Sequence, residues 1–363
     1  MKYASFILIL IQIVHFGCGT QGSGQPSGTA IQPHISTTVL AENLEVPWGM
    51  DILPDGEVVF TERNGKISII NTISGKTTLL TTRKINNQAE GGLLGIAVDP
   101  DFESNGYLYI YETIETGNRI VRLSTDSLQI TGETVLVRGI PKAKYHDGGI
   151  LRFGPDGYLY AGTGDARQPD LAQDTSSLAG KILRMDRDGE PARDNPFANL
   201  VYSYGHRNVQ GLAWDESGQL FATEHGPSGE LNNWCCHDEL NKIEAGNNYG
   251  WPLVIGNNNC ANCTAPVAQS GDDTWAPGGL AFVDTSGPLL LHNKMVMACL
   301  RGRKLIIWNH KDGTQETVLL DGDFKRLRNL ILLPNGSLLI ATSNKDGREP
   351  LPNRNDDRLI LLK

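Results

Sequence analysis

Histidine, carboxylate and guanidinium groups recur at equivalent places along this 363-residue chain. His146 lies in Lys144-Tyr145-His146-Asp147-Gly148-Gly149, just before an apolar strand pattern, and Asp165 closes Gly162-Thr163-Gly164-Asp165, just after the next one. Ser203-Tyr204-Gly205-His206-Arg207-Asn208 precedes the strand starting at Gly211, and Glu224-His225-Gly226-Pro227 follows the strand after that. Arg301 follows the strand ending at Cys299, and Arg326 and Arg328 precede the strand starting at Leu330. Several convergent arginines suit an anionic ligand with more than one carboxylate, because guanidinium forks match carboxylate geometry. A histidine beside them suits a proton acceptor at neutral pH. A backbone turn such as Gly226-Pro227 can offer carbonyl oxygens to a hard cation such as Ca²⁺. Taken singly, each residue is an ordinary surface group. Together they describe an enzyme or receptor for a polyanionic ligand, with calcium.

These groups need a scaffold that brings distant strand ends to one place. Six segments share one pattern: apolar strand, Asp/Asn/Ser-Gly turn, apolar strand. Examples are Met50 to Phe60 through Asp55-Gly56, and Gly149 to Ala161 through Asp156-Gly157. The turn glycines 56, 106, 157, 218, 287 and 336 are 50, 51, 61, 69 and 49 residues apart. Two-strand units with such turns are hairpins, and a hairpin alone cannot bury its faces. A period near ~50 with four short strands per unit is propeller spacing. The expected fold is all-β: a six-bladed β-propeller of four-stranded antiparallel blades over 35–363. Thr37 to Leu40 and Arg358 to Leu362 are expected to share a blade and so close the ring.

The composition agrees. Hydrophobic residues make up 39% of the chain, enough for a large core, and 32 Lys+Arg against 41 Asp+Glu give a net charge of −9. That balance argues against a nucleic-acid partner, which needs a basic surface. At the N-terminus, Lys2 and the apolar run from Phe6 to Val14 read as a secretory signal peptide over 1–17. Gly17-Cys18 resembles a bacterial lipoprotein cleavage site, so a membrane tether through lipidated Cys18 and a plain secreted start both stay open. The Gly/Ser/Thr/Gln/Pro-rich stretch 18–34 reads as a flexible tether. The expected location is the periplasm or cell envelope, or the medium.

The chain resembles the soluble quinoprotein glucose/aldose sugar dehydrogenases, propellers that use pyrroloquinoline quinone (PQQ) and calcium. The resemblance rests on Glu90-Gly91-Gly92-Leu93-Leu94-Gly95, Gly205-His206-Arg207-Asn208-Val209-Gln210-Gly211, Glu224-His225-Gly226-Pro227, Asp238-Glu239-Leu240-Asn241 and Asn248-Tyr249-Gly250-Trp251-Pro252. It implies that His146 is the base that takes the anomeric hydroxyl proton and that Asp165 is the carboxylate beside it. It implies that Arg207 polarises the quinone carbonyl with Asn208 as its neighbour, and that Arg326 and Arg328 line the cofactor's carboxylates. Gly226 and Pro227 match the carbonyl pair that holds the PQQ-bound Ca²⁺, and Glu239 and Tyr249 match a second, structural calcium site. The implied reaction is hydride transfer from C1 of an aldose to the quinone, giving the lactone, with an unidentified electron acceptor downstream and a monomeric or dimeric protein. Glu90 stands where the glucose enzymes have a glutamine, and a carboxylate there is expected to repel an acidic sugar. Arg301 stands where a lysine contacts PQQ. The loop from Pro227 to Asp238 is longer than in many members.

Five cysteines follow Cys18. Cys235, Cys236, Cys260 and Cys263 fall within 29 residues. In an exported chain, two disulfides linking the Cys235-Cys236 pair to Cys260 and Cys263 are expected, a zinc site being the alternative. Cys299 reads as a buried strand residue. Two other functions stay open at this point: a non-catalytic calcium-binding propeller for a glycan or protein ligand, and a calcium-dependent lactonase.

Overall fold

Six four-stranded antiparallel sheets are arranged as the blades of a propeller. The computed structural model describes residues 35–229 and 231–363. The signal-peptide, tether and lipidation expectations fall on 1–34, outside the described residues. Blade one runs Pro47–Ile52, Val58–Glu62, Lys66–Ile70 and Thr77–Thr82 from axis to rim. Blade two begins at Leu93–Val98, blade three at Leu151–Phe153, blade four at Val209–Trp214, blade five at Pro277–Val283 and blade six at Leu327–Leu332.

The local sequence explains the elements. In blade one the inner hairpin turns at Asp55-Gly56, where Gly56 takes φ 83° and its N–H donates to the Leu53 carbonyl at 2.9 Å. Glycine reaches that conformation without a Cβ clash. Strands nearest the axis are buried on both faces, as all six residues of Leu93–Val98 show. The rim strand Thr77–Thr82 is half-buried or exposed throughout. Hence the inner strands read as continuous apolar runs, and the rim strands do not.

The cores lie between blades. Met50, Val58 and Phe60 of blade one pack with Ile331, Leu339 and Leu361 of blade six. Val59, Ile67 and Ile69 pack with Ile96, Leu108 and Ile110 of blade two. Inner strands approach so closely that a Cβ on Gly95 would lie 2.2 Å from the Gly149 carbonyl oxygen of the next blade's entry. Ring closure follows the expected route: Thr37–Ala41 is the rim strand of blade six and pairs Thr37 with Leu362 and Val39 with Ile360. The N- and C-terminal segments are therefore hydrogen-bonded into one sheet.

The topology also selects an end for the site. Every inner strand starts at the same mouth, and the antiparallel second strand ends there. Loops that precede an inner strand and loops that follow a second strand therefore meet at one end of the channel. His146, Arg207 and Arg326 belong to the first kind, and Asp165, Gly226 and Arg301 to the second.

Candidate active site

His146 stands at that mouth. It is 7% exposed, and its Nδ1 lies 2.7 Å from Asp165 Oδ1. The indole Nε1 of Trp251 donates to Asp165 Oδ2 at 2.8 Å, and the Arg167 N–H donates to Oδ1 at 2.8 Å. Asp165 is thus fixed on both oxygens, and it in turn fixes the imidazole. A carboxylate accepting from Nδ1–H leaves Nε2 as the basic nitrogen. His146 has φ 66°, with Ala166 at 50° and Arg167 at 57°. Non-glycine residues in that region cost free energy and cluster where geometry serves function.

Arg207 joins the same assembly. Its carbonyl accepts from the Asp165 N–H at 2.8 Å, and its own N–H donates to Glu224 Oε2 at 2.8 Å. Its guanidinium donates to the His225 carbonyl at 3.1 Å and lies 5.6 Å from the Trp251 ring centroid. Asn208 Oδ1 accepts from the Gly148 N–H at 3.0 Å, which ties the His146 loop to the Arg207 loop.

A cavity of about 1170 Å³ opens at this mouth, walled among others by His146, Arg207, Gly226, Pro227, Arg301 and Arg326. Glu90, Tyr145, His225 and Arg348 wall both this cavity and a deeper one of about 230 Å³ that includes Arg63, Gln210 and Arg328. Three residues of the deeper wall, Trp48, Gln210 and Arg328, sit where the inner hairpins of blades one, four and six shift register. Such bulges re-aim side chains. Here they place an indole, an amide and a guanidinium on the channel wall. Arg328 Nη1 donates to Gln210 Oε1 at 2.6 Å, and its Cζ lies 5.3 Å from the Trp48 centroid. Its Nε is buried without a partner among the described residues, and burial pulls the guanidinium down to about 9. A buried cation with an orphaned donor suits an anionic ligand.

The sequence-predicted residues therefore converge. Arg301 is the exposed member at the rim of the cavity, and Arg326 is matched by Asp346 at 2.7 Å. His206 is not at the cavity: it is buried, bonded to Ser203 and Glu224, and stacked on Tyr249 at 4.7 Å. The second histidine in the cavity wall is His225, which burial pushes down to about 3. Trp251, Tyr145, Arg63 and Arg348 were missed as site residues. Trp251 lies within the Asn248-Tyr249-Gly250-Trp251-Pro252 motif, and Tyr145 adjoins His146.

Glu90 is ion-paired, and the cysteine expectation is corrected. The Glu90 carboxylate does not face the cavity as a free charge. Its Oε2 accepts from the His146 N–H at 2.8 Å, and its Oε1 pairs with Arg348 Nη2 at 2.5 Å. Burial would raise this carboxyl, but Arg348 and the His146 N–H hold it at about 2. The disulfides are Cys235–Cys236 and Cys260–Cys263, not cross-links between the pairs. The two pairs are anchored separately. The Cys236 carbonyl presses against Gly226, whereas Thr264, next to Cys263, donates its N–H to the Asn248 carbonyl at 2.7 Å. Cys299 is free and buried.

The residues fit the implied cations. A Cβ on Gly226 would lie 1.7 Å from the Cys236 carbonyl oxygen, so only glycine fits this turn. The Gly226 N–H donates to Asp238 Oδ1 at 2.9 Å, which sets the turn's direction. Glu239 and Tyr249 wall a small void with Glu224 and Trp251. Burial, then the charge of Glu224, raises the Glu239 carboxyl well above its ordinary range. Asn241, which donates to both carboxylates, has a buried Oδ1 without a partner among the described residues. Two crowded carboxylates and an unused amide oxygen are a hard-cation donor set.

Fold and site together define a β-propeller whose mouth pairs a buried, carboxylate-bound histidine with a guanidinium-walled hollow. The Glucose / Sorbosone dehydrogenase family model matches residues 44–359, and the chain belongs to that family. The structure is similar to the PQQ-bound aldose sugar dehydrogenase from Streptomyces coelicolor, with 40% identity, a TM-score of 0.81, and coverage of 92% of this chain and 99% of that one. It is 29% identical to the aldose sugar dehydrogenase YliI of Escherichia coli, over 86% of this chain and 91% of that protein. It is 36% identical to the quinoprotein glucose dehydrogenase B of Acinetobacter calcoaceticus over 60% of this chain, and the match spans 52% of that protein's length.

Proposed function

We propose that this protein oxidises an aldose at C1 to the lactone, with PQQ and Ca²⁺ bound at the described mouth. The observation that carries this reading is the buried Trp251–Asp165–His146 chain of hydrogen bonds, which ends at the cavity walled by Arg207, Arg301 and Arg326. His146 Nε2 takes the proton of the anomeric hydroxyl, and Asp165 stabilises the imidazolium that results. Bound PQQ would supply the two-electron acceptor for the hydrogen leaving C1. Arg326 and Arg328 would hold its carboxylates, and Arg207 would place positive charge where negative charge develops. The Gly226 and Pro227 carbonyls would hold one Ca²⁺, and Glu239 with Tyr249 a second.

A lactonase would hold its metal with side-chain carboxylates at the mouth, where guanidiniums predominate instead. A non-catalytic propeller has no use for a base oriented on a buried carboxylate. We further infer export through the 1–17 signal, with 18–34 as tether and Cys18 as the candidate lipidation site. Among the described residues no helix is long and apolar enough to cross a membrane.

The test is reconstitution of the apoprotein with PQQ and Ca²⁺, followed by glucose and other aldoses with an artificial electron acceptor. Dye reduction is expected. Confirmed PQQ uptake without dye reduction by any aldose overturns the reading.

A further inference from the structure

Three cations surround one aromatic ring beside the base. Lys144 Nζ lies 5.4 Å from the Tyr145 centroid, Arg348 Cζ 5.5 Å and Arg167 Cζ 5.8 Å. Tyr145, Arg167 and Arg348 wall the large cavity together with His146, and Lys144 walls the adjoining one with Tyr145. Of the carboxylates in the wall that Lys144 shares, Glu90 pairs with Arg348, Asp346 pairs with Arg326, and Asp147 accepts from Asn118 and the Ala143 N–H. Lys144 and Arg167 have no carboxylate partner among the described residues, and both are exposed side chains.

Cation–π contact stabilises an exposed cation only weakly, which does not by itself explain why two cations without a carboxylate partner join the Glu90–Arg348 pair on one ring. A shared anion does. The Arg326–Arg328 side of the hollow is opposite in sequence and in blade, and it is already assigned to the cofactor. The Tyr145 cluster instead adjoins the base, where the sugar must lie.

We propose that the substrate is an anionic aldose, with a carboxylate or phosphate remote from C1 that is held by Lys144 and Arg167 beside the Tyr145 ring. This rests on the dehydrogenase reading and deepens it. Arginine reads either anion with paired N–H donors, while lysine adds a point charge. Glu90 does not oppose such a substrate, because Arg348 and the His146 N–H occupy both of its oxygens.

The experiment uses the PQQ- and Ca²⁺-loaded protein and compares glucuronate, glucose 6-phosphate and glucose by dye reduction. At least one anionic sugar is expected to exceed glucose at least tenfold in kcat/KM, mainly through KM, with the advantage shrinking as salt rises. Comparing the two anions identifies the source of the charge. In the Lys144→Gln/Arg167→Gln variant the ratio of anionic to neutral sugar should fall towards one. Glucose matching or exceeding both anions overturns the proposal, as does a double variant that keeps the preference. So does a double variant whose PQQ affinity falls tenfold, since the pair would then serve the cofactor. If no sugar reduces the dye, the dehydrogenase reading has failed separately. Calorimetric titration with the same three sugars then decides the inference, and equal or absent binding of the anions overturns it.

Discussion

His146 Nδ1 stands 2.7 Å from Asp165 Oδ1, and Trp251 Nε1 holds the opposite Asp165 oxygen at 2.8 Å. The indole therefore sets the carboxylate, and the carboxylate sets the imidazole tautomer. Asp165→Asn keeps the shape but offers the ring an amide. It should lower kcat by about 10²–10⁴-fold, the range for a misoriented general base. His146→Ala should do at least as much. Both should retain PQQ binding, read by fluorescence quenching. A kcat within tenfold of the parent in either variant shows the base to be elsewhere.

Arg328 is buried with an unpaired Nε and lies against Trp48. Its burial is unfavourable without an anion, so Arg328→Met should leave the thermal midpoint of the apoprotein unchanged or raise it. The same variant should weaken PQQ binding by tenfold or more. An apoprotein destabilised by several degrees, with unaltered PQQ affinity, would make Arg328 a structural residue only.

Burial raises the Asp147 carboxyl to about 6, despite hydrogen bonds from Asn118 and the Ala143 N–H. Its Oδ2 has no partner among the described residues. The folded protein therefore binds more protons than the unfolded chain between about pH 4 and pH 6, and stability falls as pH rises through that window. Two pKa units correspond to at most about 3 kcal/mol. Asp147→Asn should gain a few degrees in Tm at pH 8 and little at pH 4, measured by scanning calorimetry. An equal gain at both values would rule out titration as the cause.

Gly226 is pressed against the Cys236 carbonyl, and a methyl group there has no room. Gly226→Ala must move the Gly226-Pro227 turn. Calcium affinity of the PQQ-loaded protein should drop by tenfold or more, measured by chelator competition, while far-UV circular dichroism stays that of the parent. Unchanged calcium affinity would detach the turn from the cation.

Much of this architecture was legible in the residues. Asp-Gly or Asn-Gly marks four of the inner hairpins and Ser-Gly the other two, and six such units at a near-regular spacing point to a ring. The shared mouth was also legible, since strand direction alternates and each candidate sat at a matching strand end. Side-chain aim was harder to read. A one-residue register shift directs Gln210 and Arg328 into the channel, and nothing in local hydropathy marks it. Glu90 is matched by Arg348, 258 positions away, a separation that no spacing rule spans. The cysteine pairing depended on which loop each pair was moored to, and this is set by backbone contacts at Gly226 and Asn248.

Ser36 and Lys363 exchange two backbone hydrogen bonds, at 3.0 and 2.9 Å, in the strand pair that shuts the ring. The polypeptide is linear in its covalent bonds and circular in its pairing. A permuted gene, with positions 363 and 35 joined and new ends opened at a turn far from the mouth such as Asp55-Gly56, would encode the same wheel.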